Sequence, residues 1–358
     1  MKTAAQFSIP YFRFLSVKGE LVEPPLGLDL SELLPVYRCM ALTRAFDAKA
    51  VALQRTGQLR TFPSSLGEEA STVGLASVMR AEDVLLPTYR ETGAFIWRQV
   101  KLTEVLLYWG GDERGSDYAA QRGDFPISVP IATQCGHAVG VATVFQQRKQ
   151  QRVAVCVLGD GGSSKGDFYE ALNVAGVWKL PVVFVLINNK WAISVPSSKQ
   201  TACETFAQKA IAGGVPGLVV DGNDAIAVRL KVSEAIERAR SGGGASVVEC
   251  QTYRLTDHTT ADDARRYRSA EEVSAAWAEE PLARLRTCLS NAGLWSKADE
   301  EALLAENQQT VEAAVAEYLA TANQPLTTML DYLYAELPAD MAAQRAELAA
   351  QEEGGRHG

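Results

Sequence analysis

Histidine is scarce in this chain, with three in 358 residues, so each one carries information. None of the six cysteines (Cys39, Cys135, Cys156, Cys203, Cys250 and Cys288) stands at the C-x-x-C spacing of a zinc or dithiol site. Their scatter excludes a disulfide scaffold and predicts buried free thiols in a reducing compartment. No apolar run approaches the roughly 20 residues that span a bilayer. The N-terminus lacks a signal-peptide apolar core and cleavage site, so a cytoplasmic location is expected. Basic charge is not in excess: 35 Lys and Arg against 43 Asp and Glu give a net charge of −8. That balance leaves no footprint for nucleic acid or an anionic membrane. The local run Arg265-Arg266-Tyr267-Arg268 reads as a solvated loop or a partner-facing patch. What remains is an ordinary globular composition, 47% hydrophobic and 22% charged, ample for one large core or two smaller ones.

The informative stretch runs from Arg152 to Pro196. Arg152 to Leu158 is a β-branched apolar run of strand length. It stops at Gly159-Asp160-Gly161-Gly162, where glycine permits a tight turn and close approach to a ligand. Ser163 and Ser164 offer a helix start, and Phe168, Leu172, Ala175 and Trp178 follow at helical spacing. Pro181 to Ile187 is a second buried-strand run, ending at Asn188-Asn189. Such strand–loop–helix–strand units build parallel sheets that bind ligands at the carboxyl ends of the strands. A right-handed crossover brings both loops to one edge, so Asp160 and Asn189 face each other beside a helix N-terminus. Hard oxygen ligands suit Mg²⁺, and helix-start N–H groups suit phosphate. A lone Gly-Asp-Gly is an ordinary turn, but with Asn-Asn about thirty residues on, in this pattern, it predicts a metal–diphosphate site. The first loop does not read G-x-G-x-x-G, which disfavours a Rossmann dinucleotide enzyme.

Around this unit the chain alternates. Residues 1–30 read as an irregular arm, interrupted by Pro10, Pro24 and Pro25 and rich in aromatics, packed on its own body or on another subunit. Helices are expected over Ser31–Arg55, Glu68–Met79 and Glu104–Trp109, and a short strand over Val84–Leu86. Gly110 to Pro126 reads as a polar loop, and an Ala/Gly/Val-rich helix then runs through Phe145. Thr205–Ala212 and Asp224–Arg240 read as helices, and Gly217–Val220 and Ala245–Thr252 as strands. After Trp277 the chain is mostly helical, with packing stripes such as Leu282, Leu285 and Leu289, and its last residues, Glu352–Gly358, read as frayed.

Two further loops follow strands on the expected ligand edge. Tyr89-Arg90 places a guanidinium fork where phosphate oxygens would lie. Tyr253-Arg254 leads to His258, the one histidine in a polar loop, with Arg254 four residues before it and Asp262 four after. An unperturbed imidazole titrates near neutrality and transfers protons. His137 lies within a helix and reads as a satisfied or core-edge residue; His357 lies in the C-terminal tail.

These motifs resemble the thiamine diphosphate-dependent enzymes. Tyr-Arg-x-x-x-His-Thr-x-x-Asp narrows the resemblance to the α subunit of the dehydrogenase component of 2-oxo acid dehydrogenase complexes, over about Leu33 to Pro338. The resemblance implies an α/β thiamine diphosphate-binding fold: a mostly parallel sheet with helices on both faces, an N-terminal arm (1–30), a diphosphate-type domain with a helical C-terminal part (31–338) and a tail (339–358). It implies that Asp160, Asn189 and the backbone carbonyl of Trp191 hold Mg²⁺. Gly159, Gly161 and Gly162 would form the diphosphate loop, with Tyr89, Arg90 and Arg254 also binding the cofactor and Val129 and Ile131 set against the thiamine. Ser128, Pro130, Thr133 and Gln134 match a K⁺ site of branched-chain relatives. His258 would line the active site and assist proton transfer.

No second α/β unit with a poised glutamate is evident, so the resemblance implies a β subunit that completes an α2β2 heterotetramer. It also implies reductive acylation of a lipoyl group on the acyltransferase core, the disulfide acceptor of the oxidoreductase. The run GDGGSSKGDFYEALNVAG followed by INNKWAISVP looks closest to bacterial pyruvate dehydrogenase α subunits. Branched-chain 2-oxo acid dehydrogenase and then acetoin dehydrogenase are the alternatives, and a non-catalytic α-like assembly subunit is the reading from another class. Two positions depart from relatives. Ile187 stands where some carry Arg, and Thr259 where mitochondrial relatives carry a kinase-regulated serine.

Overall fold

The structure is a computed structural model that describes residues 2–353. It divides into two compact units, Met1–Ala314 and Val315–Gly358.

The first unit is built on strands that read as near-continuous apolar runs. Ala154–Gly159 (β3) and Val182–Asn188 (β4) are buried almost throughout, as expected for parallel strands covered on both faces. With β1 (Tyr11–Phe12), β2 (Val84–Leu86), β7 (Gly217–Asp221) and β8 (Ser246–Gln251), they form an all-parallel sheet in the order β1-β7-β8-β4-β3-β2. The remaining strands, β5 (Trp191–Ala192) and β6 (Val195–Pro196), make a small antiparallel hairpin after β4.

Alternate residues of the strands face opposite helical layers. Leu86, Cys156, Leu158, Phe184 and Leu186 pack on Ala138, Ala142 and Phe145 of Thr133–Gln147, and on Phe168, Leu172 and Ala175 of Gly166–Trp178. The small residues of Thr133–Gln147 let that helix lie close to the sheet. A second cluster joins Tyr37 and Met40 of Leu34–Arg55 to Val73 of Glu69–Ala76, Ile226 of Ala225–Arg238 and Leu285 of Pro281–Asn291.

The N-terminal arm is not wholly irregular. Tyr11 and Phe12 pair with Val219 and Val220 as an edge strand, and the backbone N–H groups of Phe14 and Leu15 donate to Asp224 at 2.5 and 2.7 Å. Only two residues pair, too few to leave a periodic signal. Glu68–Met79 shortens to Glu69–Ala76, and Thr92–Trp97 is a further short helix between the Tyr89-Arg90 loop and the helix Leu102–Gly110. Ser163 and Ser164 end a 3₁₀ turn, Gly161–Ser164, ahead of the helix at Gly166. Of the cysteines, Cys203 is exposed and Cys39 half-buried, while the other four are buried free thiols. Arg268 is buried rather than solvated and donates to the carbonyls of Arg254 and Thr256. His137 is exposed and packs beside the Phe125 ring, itself packed on the edge of the core.

The second unit holds the short helix Thr328–Asp331 and the helix Ala339–Glu353, joined by an Arg345–Asp331 ion pair. Glu352 and Glu353 are thus helical, whereas residues 354–358, with His357, lie outside the described residues. Among the described residues no helix is long and apolar enough to cross a membrane.

Candidate functional site

Four adjacent parallel strands, β8-β4-β3-β2, end on the same edge of the sheet. The residue after β3 is Asp160 and the residue after β4 is Asn189. The loop after β2 carries Tyr89 and Arg90, and the loop after β8 carries Arg254 and His258. A cavity of about 320 Å³ opens there. Its walls include Tyr89, Arg90, Ile131, Asp160, Asn189 and His258, together with Gly159, Gly161, Gly162 and the Trp191–Ile193 hairpin. Ser128 and Gln134 also reach it. Arg254 lies behind the wall, while Val129, half exposed, and Pro130 and Thr133 are not among the lining residues.

The turn after β3 is held from several sides. Gly161 N–H donates to Asp160 Oδ1 at 2.9 Å, and Lys209 Nζ donates to the carbonyl and hydroxyl of Ser163 at 2.7 and 2.8 Å. A Cβ on Gly161 would stand 2.8 Å from Cβ of Ala192, so the hairpin can close over this turn only if residue 161 is glycine.

Asp160 is 3% exposed, and burial raises its carboxyl pKa against the opposing donors, first of them Gln200. Gln200 Nε2 donates to Oδ2 at 2.8 Å and Ser197 Oγ at 3.4 Å. Among the described residues no basic side chain forms an ion pair with it. A buried carboxylate in this position favours a cation. Asn189 Oδ1 accepts from Trp191 N–H at 3.2 Å. Among the described residues no group of three His, Cys, Asp or Glu side chains is arranged for a metal. The donor set is therefore one carboxylate with amide and carbonyl oxygens, which suits a hard cation.

Two guanidiniums gather around His258. Arg254 is fully buried, and its guanidinium is satisfied by neutral oxygens rather than by a carboxylate. It donates to the carbonyls of Trp191 at 3.0 Å and Ile193 at 2.9 Å, and to Tyr267 Oη at 3.1 Å. Burial, and then the charge of Arg90, lower its pKa. Arg90 donates to the carbonyls of Ser64 at 2.5 Å and His258 at 2.9 Å. Nδ1 of His258 lies 3.2 Å from Arg90 Nη2 and 3.4 Å from Arg254 Nη1. A guanidinium only donates, so Nδ1 is the acceptor and the ring proton sits on Nε2. Burial, then Arg90 and Arg254, press the imidazole down to about 3, against the pull of Asp262. His258 is thus neutral at ordinary pH, with its N–H on the far side from the two arginines.

Glu68 is the residue that sequence reading missed. It lines the cavity at 2% exposure, and burial pushes its carboxyl up to about 7, opposed first by Arg90. Asn189 Nδ2 donates to its Oε1 at 2.7 Å. The available signal was a pair of acids, Glu68-Glu69, heading a helix whose other residues are small or apolar.

A cavity lined by a buried carboxylate that has no ion-pair partner among the described residues and by the Arg90 guanidinium, with the Arg254 guanidinium behind it, fits a metal-bound polyanion. The comparisons agree in kind. Residues 37–326 match the family model "Dehydrogenase E1 component". The chain is 38% identical over 335 residues to a Staphylococcus aureus "Pyruvate dehydrogenase E1 component subunit alpha", covering 93% of this chain and 90% of the relative. It is 42% identical over 317 residues to a Mycobacterium tuberculosis "3-methyl-2-oxobutanoate dehydrogenase subunit alpha", covering 88% and 86%. The chain therefore belongs to the dehydrogenase E1 component family, among the α subunits of thiamine-dependent 2-oxo acid dehydrogenases.

Proposed function

We propose that this chain is the α subunit of a pyruvate dehydrogenase component, joined to a β subunit in an α2β2 heterotetramer. It would catalyse oxidative decarboxylation of pyruvate and reductive acetylation of a lipoyl group on an acyltransferase core. The observation that carries the site reading is the convergence of Asp160, Asn189, Arg90 and His258 on one cavity, with Arg254 behind it against His258. Family membership brings thiamine diphosphate as the polyanion, and the buried charges of Asp160 and Arg254, without ion-pair partners among the described residues, fit its metal-bound form.

In this reading Asp160, Asn189 and the Trp191 carbonyl hold Mg²⁺. Arg90 and Arg254 neutralise diphosphate charge, the turn Gly159–Gly162 gives its backbone to the diphosphate, and Tyr89 and Ile131 wall the cofactor. When bound, the thiazolium supplies a carbon nucleophile and an electron sink for decarboxylation. His258 presents its Nε2–H as a hydrogen-bond donor and would take up and pass on a proton only once a bound diphosphate offsets the two guanidiniums, and the apolar wall of Ile131, Ala192 and Ile193 excludes water. Gln134 Oε1 is buried without a hydrogen-bond partner while its Nε2 donates to the Val157 carbonyl at 2.7 Å. That orphaned oxygen supports K⁺ held with Ser128, Pro130 and Thr133.

A branched-chain substrate is the second reading, favoured by the 42% identity to the 3-methyl-2-oxobutanoate relative. The test is kcat/KM for pyruvate and 3-methyl-2-oxobutanoate, measured on this chain co-purified with its β subunit, with an artificial electron acceptor. A strong pyruvate preference supports the proposal. A branched-acid preference moves the substrate and keeps the site. Turnover of neither rejects both.

A further inference from the structure

Glu68 has no part in the roles assigned above, yet one of its oxygens faces both halves of the site. Oε1 accepts from Asn189 Nδ2 at 2.7 Å and lies 3.7 Å from Arg90 Nε. We infer that Glu68 is a positioning residue: it fixes the carboxamide of Asn189 with Oδ1 turned to the metal, and it ties that half of the site to the Arg90 side. The inference rests on the metal–diphosphate reading of the cavity.

The two ends of a carboxamide are nearly the same size and differ in whether they donate or accept. Rotating the amide by half a turn would present N–H groups to the metal, and N–H groups do not ligate a cation. An ionised carboxylate is an acceptor only, so above the pH of about 7 at which Glu68 ionises, the end of Asn189 that meets it must be Nδ2, as it is here. Oδ1 then retains a lone pair beyond its long 3.2 Å bond from Trp191 N–H. Without Glu68, that one long bond alone would set the orientation.

The placement of Glu68 is built by its surroundings. Gly67 has φ +97°, and a Cβ there would stand 2.3 Å from the Tyr253 carbonyl. Thr252 Oγ1 donates to the Gly67 carbonyl at 2.6 Å, and Leu255 N–H to the Leu66 carbonyl at 3.2 Å. The loop before the helix at Glu69 is thus clamped to the exit of β8, the segment that delivers Arg254 and His258. Partners of this kind behind a metal ligand typically govern affinity by about 10–100-fold.

The test uses the chain co-purified with its β subunit, with calorimetric titration of thiamine diphosphate at a series of Mg²⁺ concentrations and melting of the ligand-free protein in parallel. Glu68→Ala should raise the Mg²⁺ concentration for half-saturation by about tenfold or more. Glu68→Gln should stay within about threefold of wild type, because its Oε1 accepts the same bond. A donor–acceptor swap makes the test independent of how well the alanine variant folds. Asn189→Asp alone sets two carboxyl groups together and, above the pH at which Glu68 ionises, should lose binding. Adding Glu68→Gln should restore much of it, because the glutamine Nε2 then donates to the aspartate. A wild-type Mg²⁺ dependence in Glu68→Ala, a Glu68→Gln as defective as the alanine, or a double variant no better than Asn189→Asp overturns the inference. Absence of Mg²⁺-dependent binding by the wild-type protein instead overturns the site reading beneath it.

Discussion

Arg90 Nη2 stands 3.2 Å from Nδ1 of His258. With Arg254 Nη1 at 3.4 Å from the same nitrogen, two guanidiniums converge on one imidazole and leave it no room for a second proton. The electrostatics are unfavourable for the protein alone and favourable once an anion arrives, as expected of a preorganised diphosphate site.

The first prediction concerns this imidazole. In the ligand-free protein, nitrogen NMR should show the Nε2–H tautomer and no titration between about pH 5 and 8. The folded-state pKa of about 3 lies below the unfolded value, so acid favours the unfolded state. As pH falls from about 6.5 toward 3, the unfolded chain takes a proton that the folded chain refuses, and stability from this group is lost. Diphosphate offsets the arginine charges and raises the pKa. Calorimetry in buffers of different ionisation enthalpy should then find proton uptake on thiamine diphosphate binding below pH 6. A ligand-free His258 that titrates near its ordinary value contradicts this.

Arg254 should matter to the fold as well as to the ligand. It supplies donors to the carbonyls of Trp191 and Ile193 and so holds the hairpin that closes the cavity. Arg254→Ala leaves those oxygens unpaired and should cost about 2–4 kcal/mol in urea unfolding. Arg254→Lys cannot reproduce the fork and should recover less than half of that loss.

Ile193 sits at φ +55°, an uncommon conformation for a β-branched residue, and its side chain is 55% exposed on the cavity wall. Strain of roughly 1–3 kcal/mol at such a position is characteristic of a functional wall. Ile193→Gly should leave the melting temperature unchanged or raise it slightly. The same change should shift kcat/KM toward 3-methyl-2-oxobutanoate relative to pyruvate by about tenfold, because it removes apolar bulk from the wall. An unchanged substrate ratio would separate Ile193 from specificity.

Much of the site was legible because its signals are local. Asp160 and Asn189 follow apolar strand runs at once, and parallel topology alone brings their loops to one edge. His258 and Arg254 were legible for the same reason. Glu68 was not: its bond to Asn189 spans 121 positions, and no period in the sequence encodes that meeting. β1 was missed because two residues pair only when β7 is already in place. The left-handed backbone of Ile193 was also hidden, since isoleucine is a residue that disfavours it. The tautomer of His258 needed the arginines' positions, not their presence in the sequence.

The most direct test of the account is calorimetric titration of thiamine diphosphate into the α chain with its β subunit, with and without Mg²⁺, for wild type and Asp160→Ala. The expected result is tight binding by the wild type only with Mg²⁺, and a loss of about a hundredfold or more in Asp160→Ala, from a fold that melts as the wild type does. Binding by the variant at wild-type affinity, with the same Mg²⁺ dependence, would place the metal elsewhere and contradict the site.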